Sequence, residues 1–182
     1  MVNSNEKTFH GMHYGMHHGH RMRESAYDLK EIIDFLEIKK DWDIVDLGAG
    51  DGYFSKEFIK YAKSVTAVDI DSTYFNEMNS YGIRTINADL CTFREGTYDL
   101  VFMANVYHGI RLECKENILE NIKKISKKYF AIIDFNDIRL FGPPMRVKKE
   151  EVIHDLEMCG FKLYKEKDLK YHYILVFEKL GE

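Results

Sequence analysis

Short apolar runs alternate along this chain with segments whose apolar residues recur every three or four positions. Ala26, Leu29, Ile32, Ile33 and Leu36 keep a helical period, and Ser25 followed three residues later by Asp28 reads as a capping box opening that helix. Asp43–Leu47 is a short run that reads as a buried strand, and Phe54, Phe58, Tyr61 and Ala62 then share one helical face. Further strands are expected at 65–69, 83–87, 99–105 and 129–135, with helices over 72–80, through Ile118, Leu119, Ile122 and Ile125, and through Val152, Leu156 and Cys159 up to Gly160. Lys123, Lys124, Lys127 and Lys128 read as the solvated basic end of the middle helix. The last two strands, 161–167 and 171–177, are too close in sequence for a crossover helix and should run antiparallel. Strands alternating with helices imply an α/β domain with a mostly parallel sheet.

The stretch from Asp43 to Phe54 organises the rest. A strand breaks into Gly48, Gly50 and Gly52 and restarts as a helix, the arrangement that lets a backbone turn tightly beneath a ligand. A dinucleotide loop spaces its glycines G-x-G-x-x-G and faces a pyrophosphate. Here the spacing is G-x-G-x-G, with carboxylates at Asp46 and Asp51, which repel phosphate and suit an ammonium or sulfonium cation. S-adenosylmethionine fits, with its amino-acid end near Asp46. Asp46-Leu47-Gly48-Ala49-Gly50-Asp51-Gly52 resembles motif I of the class I S-adenosylmethionine-dependent methyltransferases. The order of elements from about Ile44 to Lys179 resembles their core, in particular the type 11, quinone-biosynthesis-like group, as do the run from Phe102 to His108 and Gly142-Pro143-Pro144. The resemblance implies a Rossmann-like doubly wound, mostly parallel seven-stranded sheet with an antiparallel C-terminal hairpin strand.

In such a sheet, ligands bind at the carboxyl ends of strands near the switch in strand order. Asp69 ends the second strand, where an aspartate is placed to accept both ribose hydroxyls; Asp71 is a nearby alternative. Asp89 follows the third strand, placed for the adenine amino group, with Ile70 and Leu90 against the ring faces. With Asp46, Gly48, Ala49, Gly50, Gly52 and Asn105 these complete the expected cofactor set. The resemblance places the acceptor pocket over the end of the fourth strand, beside Tyr107 and His108. An imidazole titrates near neutrality and suits a base, while the Tyr107 hydroxyl would orient the acceptor; a packing role for His108 remains the alternative. Methyl transfer by in-line displacement needs a base only where the acceptor must lose a proton.

Composition narrows the setting. With 182 residues, 45% hydrophobic and 31% charged, this reads as one globular domain over 23–182 that buries about 70% of its unfolded surface. The net charge of -4 offers no footprint for nucleic acid or an anionic membrane. Neither a signal peptide nor a membrane-length apolar run is visible, so a cytoplasmic protein is expected. Cys91, Cys114 and Cys159 are odd in number and far apart, which argues against a disulfide framework. Residues 1–22 are expected to form a flexible His/Met/Gly-rich tail, with His10, His13, His17, His18 and His20 crowded together. Imidazole and thioether suit soft metals, but the spacing matches no defined site, and adventitious metal binding or a lid over the cofactor is favoured over a dedicated metal site. The absence of an inserted substrate domain leaves the tail and the loops 107–114 and 136–145 to close the site. The expected function is methyl transfer to a small acceptor by a monomer or weak homodimer, with no nucleic-acid partner. A non-catalytic S-adenosylmethionine-binding module and a metal-handling protein built on the histidine tract are the alternatives.

Overall fold

A computed structural model describes residues 28–138 and 142–181. The histidine tract, its lid and metal roles, and the Ser25 cap lie outside the described residues.

The first helix among the described residues, α1 (Leu29–Leu36), is capped by Asp28, whose Oδ1 accepts from the Glu31 N–H at 3.2 Å. Asp28 is thus the N-cap of this helix, because its extended backbone leaves the carboxylate facing the free amides of the first turn. Then follow β1 (Asp43–Leu47), α2 (Ser55–Phe58), β2 (Ser64–Asp69), α3 (Phe75–Ser80), β3 (Arg84–Asn87) and β4 (Tyr98–Ala104). The remaining elements are α4 (Tyr107–Ile125), β5 (Ser126–Phe135), α5 (Lys149–Met158), β6 (Phe161–Asp168) and β7 (His172–Lys179).

The seven strands are ordered β3-β2-β1-β4-β5-β7-β6. The pairs β1–β2, β2–β3, β1–β4 and β4–β5 are parallel, and β7 lies antiparallel between β5 and β6. The chain steps outward from β1 to β3 and returns to place β4 on the other side of β1, which sets the switch point between β1 and β4.

Because side chains alternate across a strand, each central strand feeds two cores. Val45, Leu47, Val101, Met103, Phe130 and Ile132 pack under α4 and α5. Ile44, Leu100, Phe102, Ala131 and Ile133 pack with α1, Phe54, Phe58 and Met78 on the other face. There Phe102 meets Phe54 and Phe58 at ring-centroid distances of 5.0 and 4.8 Å. Truncating such a buried ring costs about 3–5 kcal/mol.

Four expectations are corrected. The helix after the glycine loop has only four residues, and Tyr61 is 42% exposed, so Phe54 and Phe58 anchor that face with Ala62 packed beside them and Tyr61 outside. The segment 107–114, expected as a loop, is helical: α4 starts at Tyr107 and is interrupted only at Cys114 (φ -152°, ψ 48°). Lys127 and Lys128 belong to β5; Lys127 lies 3.7 Å from both Asp43 and Asp99 at the starts of their strands. Finally, Cys91 and Cys114 form a disulfide, their Cα atoms 5.8 Å apart. The break in α4 brings the Cys114 sulfur to the loop after β3, a proximity that sequence separation hides.

Candidate functional site

The carboxyl ends of β1, β2 and β3 carry the glycine loop and its acids. Gly48, Gly50 and Gly52 all take positive φ, at 76°, 56° and 76°. The loop is pinned to β2 by the Gly48 and Ala49 N–H groups, which donate to the Val68 carbonyl at 2.8 and 3.2 Å. A Cβ on Gly48 would lie 2.5 Å from Val106 Cγ2, and one on Gly52 2.6 Å from Met78 Sδ; one on Gly50 would meet nothing within 4 Å. Two of these glycines therefore serve packing, while Gly50 faces open space.

Asp69 holds this cradle in shape. Its Oδ2 accepts from the Gly50 N–H at 2.8 Å and its Oδ1 from the Asp71 N–H at 2.9 Å. Each carboxylate oxygen has a second lone pair, so a hydroxyl pair can still be received. Asp71 is engaged with Thr73, whose N–H it accepts at 2.9 Å. Ile70, 73% exposed, stands beside Asp69 as a free apolar surface. Asp89 takes the Cys91 N–H at 2.8 Å in an Asx turn, and Leu90 is buried in the core with its carbonyl accepting from Asn121 Nδ2 at 2.9 Å.

Asp46 is 2% exposed at the end of β1. Ser55 Oγ donates to it at 2.7 Å, and no Lys, Arg or His among the described residues pairs with it. Burial foremost, then the charges of Asp69 and Asp51, push its carboxyl up to about 7 against the pull of Ser55. A buried acid beside an open glycine cradle, without a cation of its own, suits a ligand that brings a cation.

The second cluster lies beyond β4. Asn105 has φ 60° and donates its N–H to the Ile133 carbonyl at 2.8 Å, which turns the chain out of β4 into α4. His108, on the first turn, donates its backbone N–H to Asp134 Oδ2 at 2.9 Å, and its Nδ1 lies 2.8 Å from Asp134 Oδ1. Asp134 is fully buried in β5 and also accepts the Phe135 N–H at 2.8 Å. Phe135 is flanked by the His108 ring at 5.7 Å, the His172 ring at 4.5 Å and the Arg146 guanidinium at 4.7 Å. Burial, with a contribution from Arg146, pushes His172 down to about 4, so it sits neutral in this wall.

Tyr107 does not join this cluster, and its expected role on an acceptor is corrected. Its side chain is fully buried, and its hydroxyl donates to Asp155 Oδ2 at 3.0 Å in α5. Asp155 also accepts from Arg111 Nε at 2.7 Å and from Lys115 Nζ. Burial opposes its ionisation, but Arg111, Lys115 and Tyr107 outweigh it and hold the carboxyl below the usual range. Successive residues of a helix project in different directions, so Tyr107 faces α5 while His108 faces β5.

The structure thus places Asp46, the glycines, Asp69, Ile70 and Asp89 at the carboxyl ends of β1–β3, and His108 past the carboxyl end of the parallel strand β4 on the same edge of the sheet. Asp134 was missed in the sequence because it reads there as the end of an apolar run. The signal available was its place at the carboxyl end of the strand beside β4. Among the described residues no group of three or more His, Cys, Asp or Glu is placed to hold a metal, and no helix is long and apolar enough to cross a membrane.

Comparison with known proteins agrees with the fold. Residues 20–132 match the family model described as ribosomal RNA adenine dimethylase. Ribosomal RNA small subunit methyltransferase A of Wigglesworthia glossinidia brevipalpis is 29% identical over 115 residues, 57% of this chain and 44% of that protein. An rRNA adenine N-6-methyltransferase of Lysinibacillus sphaericus is 26% identical over 103 residues, covering 54% of this chain and 41% of the relative. The chain therefore spans less than half the length of these curated relatives. The crystal structure of a SAM-dependent methyltransferase from Aquifex aeolicus superposes with a TM-score of 0.77 at 22% identity, covering 87% of this chain and 93% of that one. A putative type 11 methyltransferase from Sulfolobus solfataricus gives 0.67 at 22% identity over 85% and 90%. These structures establish the fold as the Rossmann-like methyltransferase fold.

Proposed function

The chain belongs to the ribosomal RNA adenine dimethylase family, and from that premise we propose that it binds S-adenosylmethionine over β1–β3 and transfers its methyl group to a small acceptor over β4 and β5. The observation that carries this reading is the Asp69-braced glycine cradle beside buried, cation-less Asp46. In this assignment Asp46 faces the cationic amino-acid end, Gly50 gives the backbone close approach, Asp69 receives the ribose, and Asp89 and Ile70 take the adenine. The cofactor supplies an electrophilic methyl group, and the protein supplies alignment, which is worth up to about 7–11 kcal/mol in such reactions. We read the protein as a cytoplasmic monomer or weak homodimer in which residues 23–182 form the catalytic domain and residues 1–22 act as its lid.

The small acceptor is favoured because the family match ends at residue 132. Asp134, Phe135, Arg146 and His172, which build the second cluster, all lie beyond it. An adenine of RNA is the second reading, supported by the names of the curated relatives. Transfer of a tritiated methyl group, followed into RNA and into the small-molecule fraction of a cell extract, separates the two.

The cofactor assignment is tested by calorimetry with S-adenosylhomocysteine. Wild type is expected to bind. Gly50→Val, which fills space that is open in the fold, should lose binding, and Asp69→Ala should weaken it by roughly 1–3 kcal/mol. No heat of binding with folded wild-type protein would reject the assignment.

A further inference from the structure

We propose that His108 and Asp134 form a base pair of fixed tautomer, which makes the acceptor one that surrenders a proton: a hydroxyl or a ring or amino N–H, not a thiolate. The inference rests on the methyltransferase reading and deepens it by naming the acceptor chemistry.

Asp134 is fully buried and receives three donors, the backbone N–H groups of His108 and Phe135 and the ring nitrogen Nδ1 of His108. A carboxylate used as an acceptor on both oxygens requires a donor at each contact, so Nδ1 carries the ring proton. The remaining nitrogen, Nε2, then holds a lone pair. It makes no hydrogen bond to any described residue, and the His108 side chain keeps 12% of its surface exposed. The backbone bond from His108 N to the same carboxylate fixes where the helix starts, so the ring and its partner are set by one residue. Edge contact with Phe135 at 5.7 Å walls the ring on one side.

This arrangement has little use for an acceptor already anionic. It suits one that is neutral until attack. As the acceptor heteroatom bonds to the methyl carbon, the carbon–sulfur bond breaks and its electron pair stays on sulfur. The acceptor's proton passes to Nε2, and the imidazolium so formed lies against Asp134. Charge balances, since the positive charge leaves sulfur and arrives on His108. His108 is the catalytic residue and Asp134 the positioning residue. The other charged or titratable groups around Phe135 are Arg146 and neutral His172.

The test needs no knowledge of the natural acceptor. Long-range 1H–15N spectra of histidine-labelled protein in mildly alkaline buffer should show His108 as a single Nδ1–H tautomer. Asp134→Asn, whose amide can donate to Nδ1, should convert it to Nε2–H, and Asp134→Glu should restore Nδ1–H. A wild-type His108 protonated at Nε2 overturns the proposal whatever the variants do, so a variant that fails to fold costs nothing. With phenol and thiophenol as acceptor probes, His108→Ala should lower transfer to phenol by roughly 10²-fold or more and to thiophenol by less than about threefold. An equal loss on both overturns the acceptor class. If neither is methylated, the tautomer decides. S-adenosylhomocysteine affinity, measured on the same samples, stays unchanged, so failure of the cofactor assignment is read separately.

Discussion

Asp46 concentrates the consequences that one residue can carry. Its carboxyl is pushed up to about 7 by burial, with Asp69 and Asp51 adding to the effect. The fold therefore retains there a proton that the unfolded chain releases near 3.8, and the ligand-free protein loses stability as pH rises from 3.8 through about 7. A cationic ligand prefers the ionised form, so binding should expel the proton. S-adenosylhomocysteine affinity is then expected to rise with pH by up to about tenfold per unit below 7 and level off above it. Titration calorimetry in buffers of different ionisation enthalpy reads the released proton directly, and Asp46→Asn should flatten the profile. A pH-independent affinity in wild type would separate Asp46 from the ligand. Asp46 and Asp69 stand out in the sequence because one lies in the strand that runs into the glycines and the other ends the next apolar run. Asp134 closes a run too, but its partner His108 lies 26 residues earlier, and no local pattern joins them.

At the scale of elements, α4 is the informative one. The run from Val106 to Cys114 looked irregular because Gly109 and polar residues interrupt its apolar period, yet tertiary anchors make it helical. Tyr107, Arg111 and Lys115 step along one face at helical spacing and converge on Asp155 of α5. The two helices are thus clamped through a buried acid contributed 48 residues after Tyr107. That is a link of tertiary structure, and spacing alone does not reveal it. Tyr107→Phe should cost about 1.5–3 kcal/mol in urea unfolding while leaving methyl transfer per folded molecule near normal. Asp155→Ala removes the shared acceptor of Tyr107, Arg111 and Lys115 at once and should cost more than Tyr107→Phe. A Tyr107→Phe protein of full stability but lost activity would return the hydroxyl to the acceptor site.

The whole molecule divides into a half readable from its pattern and a half assembled by contacts. The alternation of runs and helical periods gave the sheet, its parallel core and the antiparallel closing strands, because the central strands β1, β4 and β5 feed apolar side chains to both faces of the sheet. The disulfide was not readable, since pairing depends on the interruption of α4 that brings Cys114 toward Cys91. Closing a 23-residue separation should stabilise the fold by about 3 kcal/mol through the unfolded chain. Reduced wild type, Cys91→Ser and Cys114→Ser should therefore share one lowered urea midpoint, and a midpoint unchanged by reduction would show that the bond contributes nothing.

That bond has a topological consequence. The chain from Cys91 to Cys114 is a covalent ring, and the ring contains all of β4, the turn at Asn105 and the start of α4 with His108. A protease that cuts once inside it opens the ring without releasing either part. The nicked protein should migrate as one species until a reductant is added, and only then separate into a piece bearing the glycine cradle and a piece bearing the rest of the sheet.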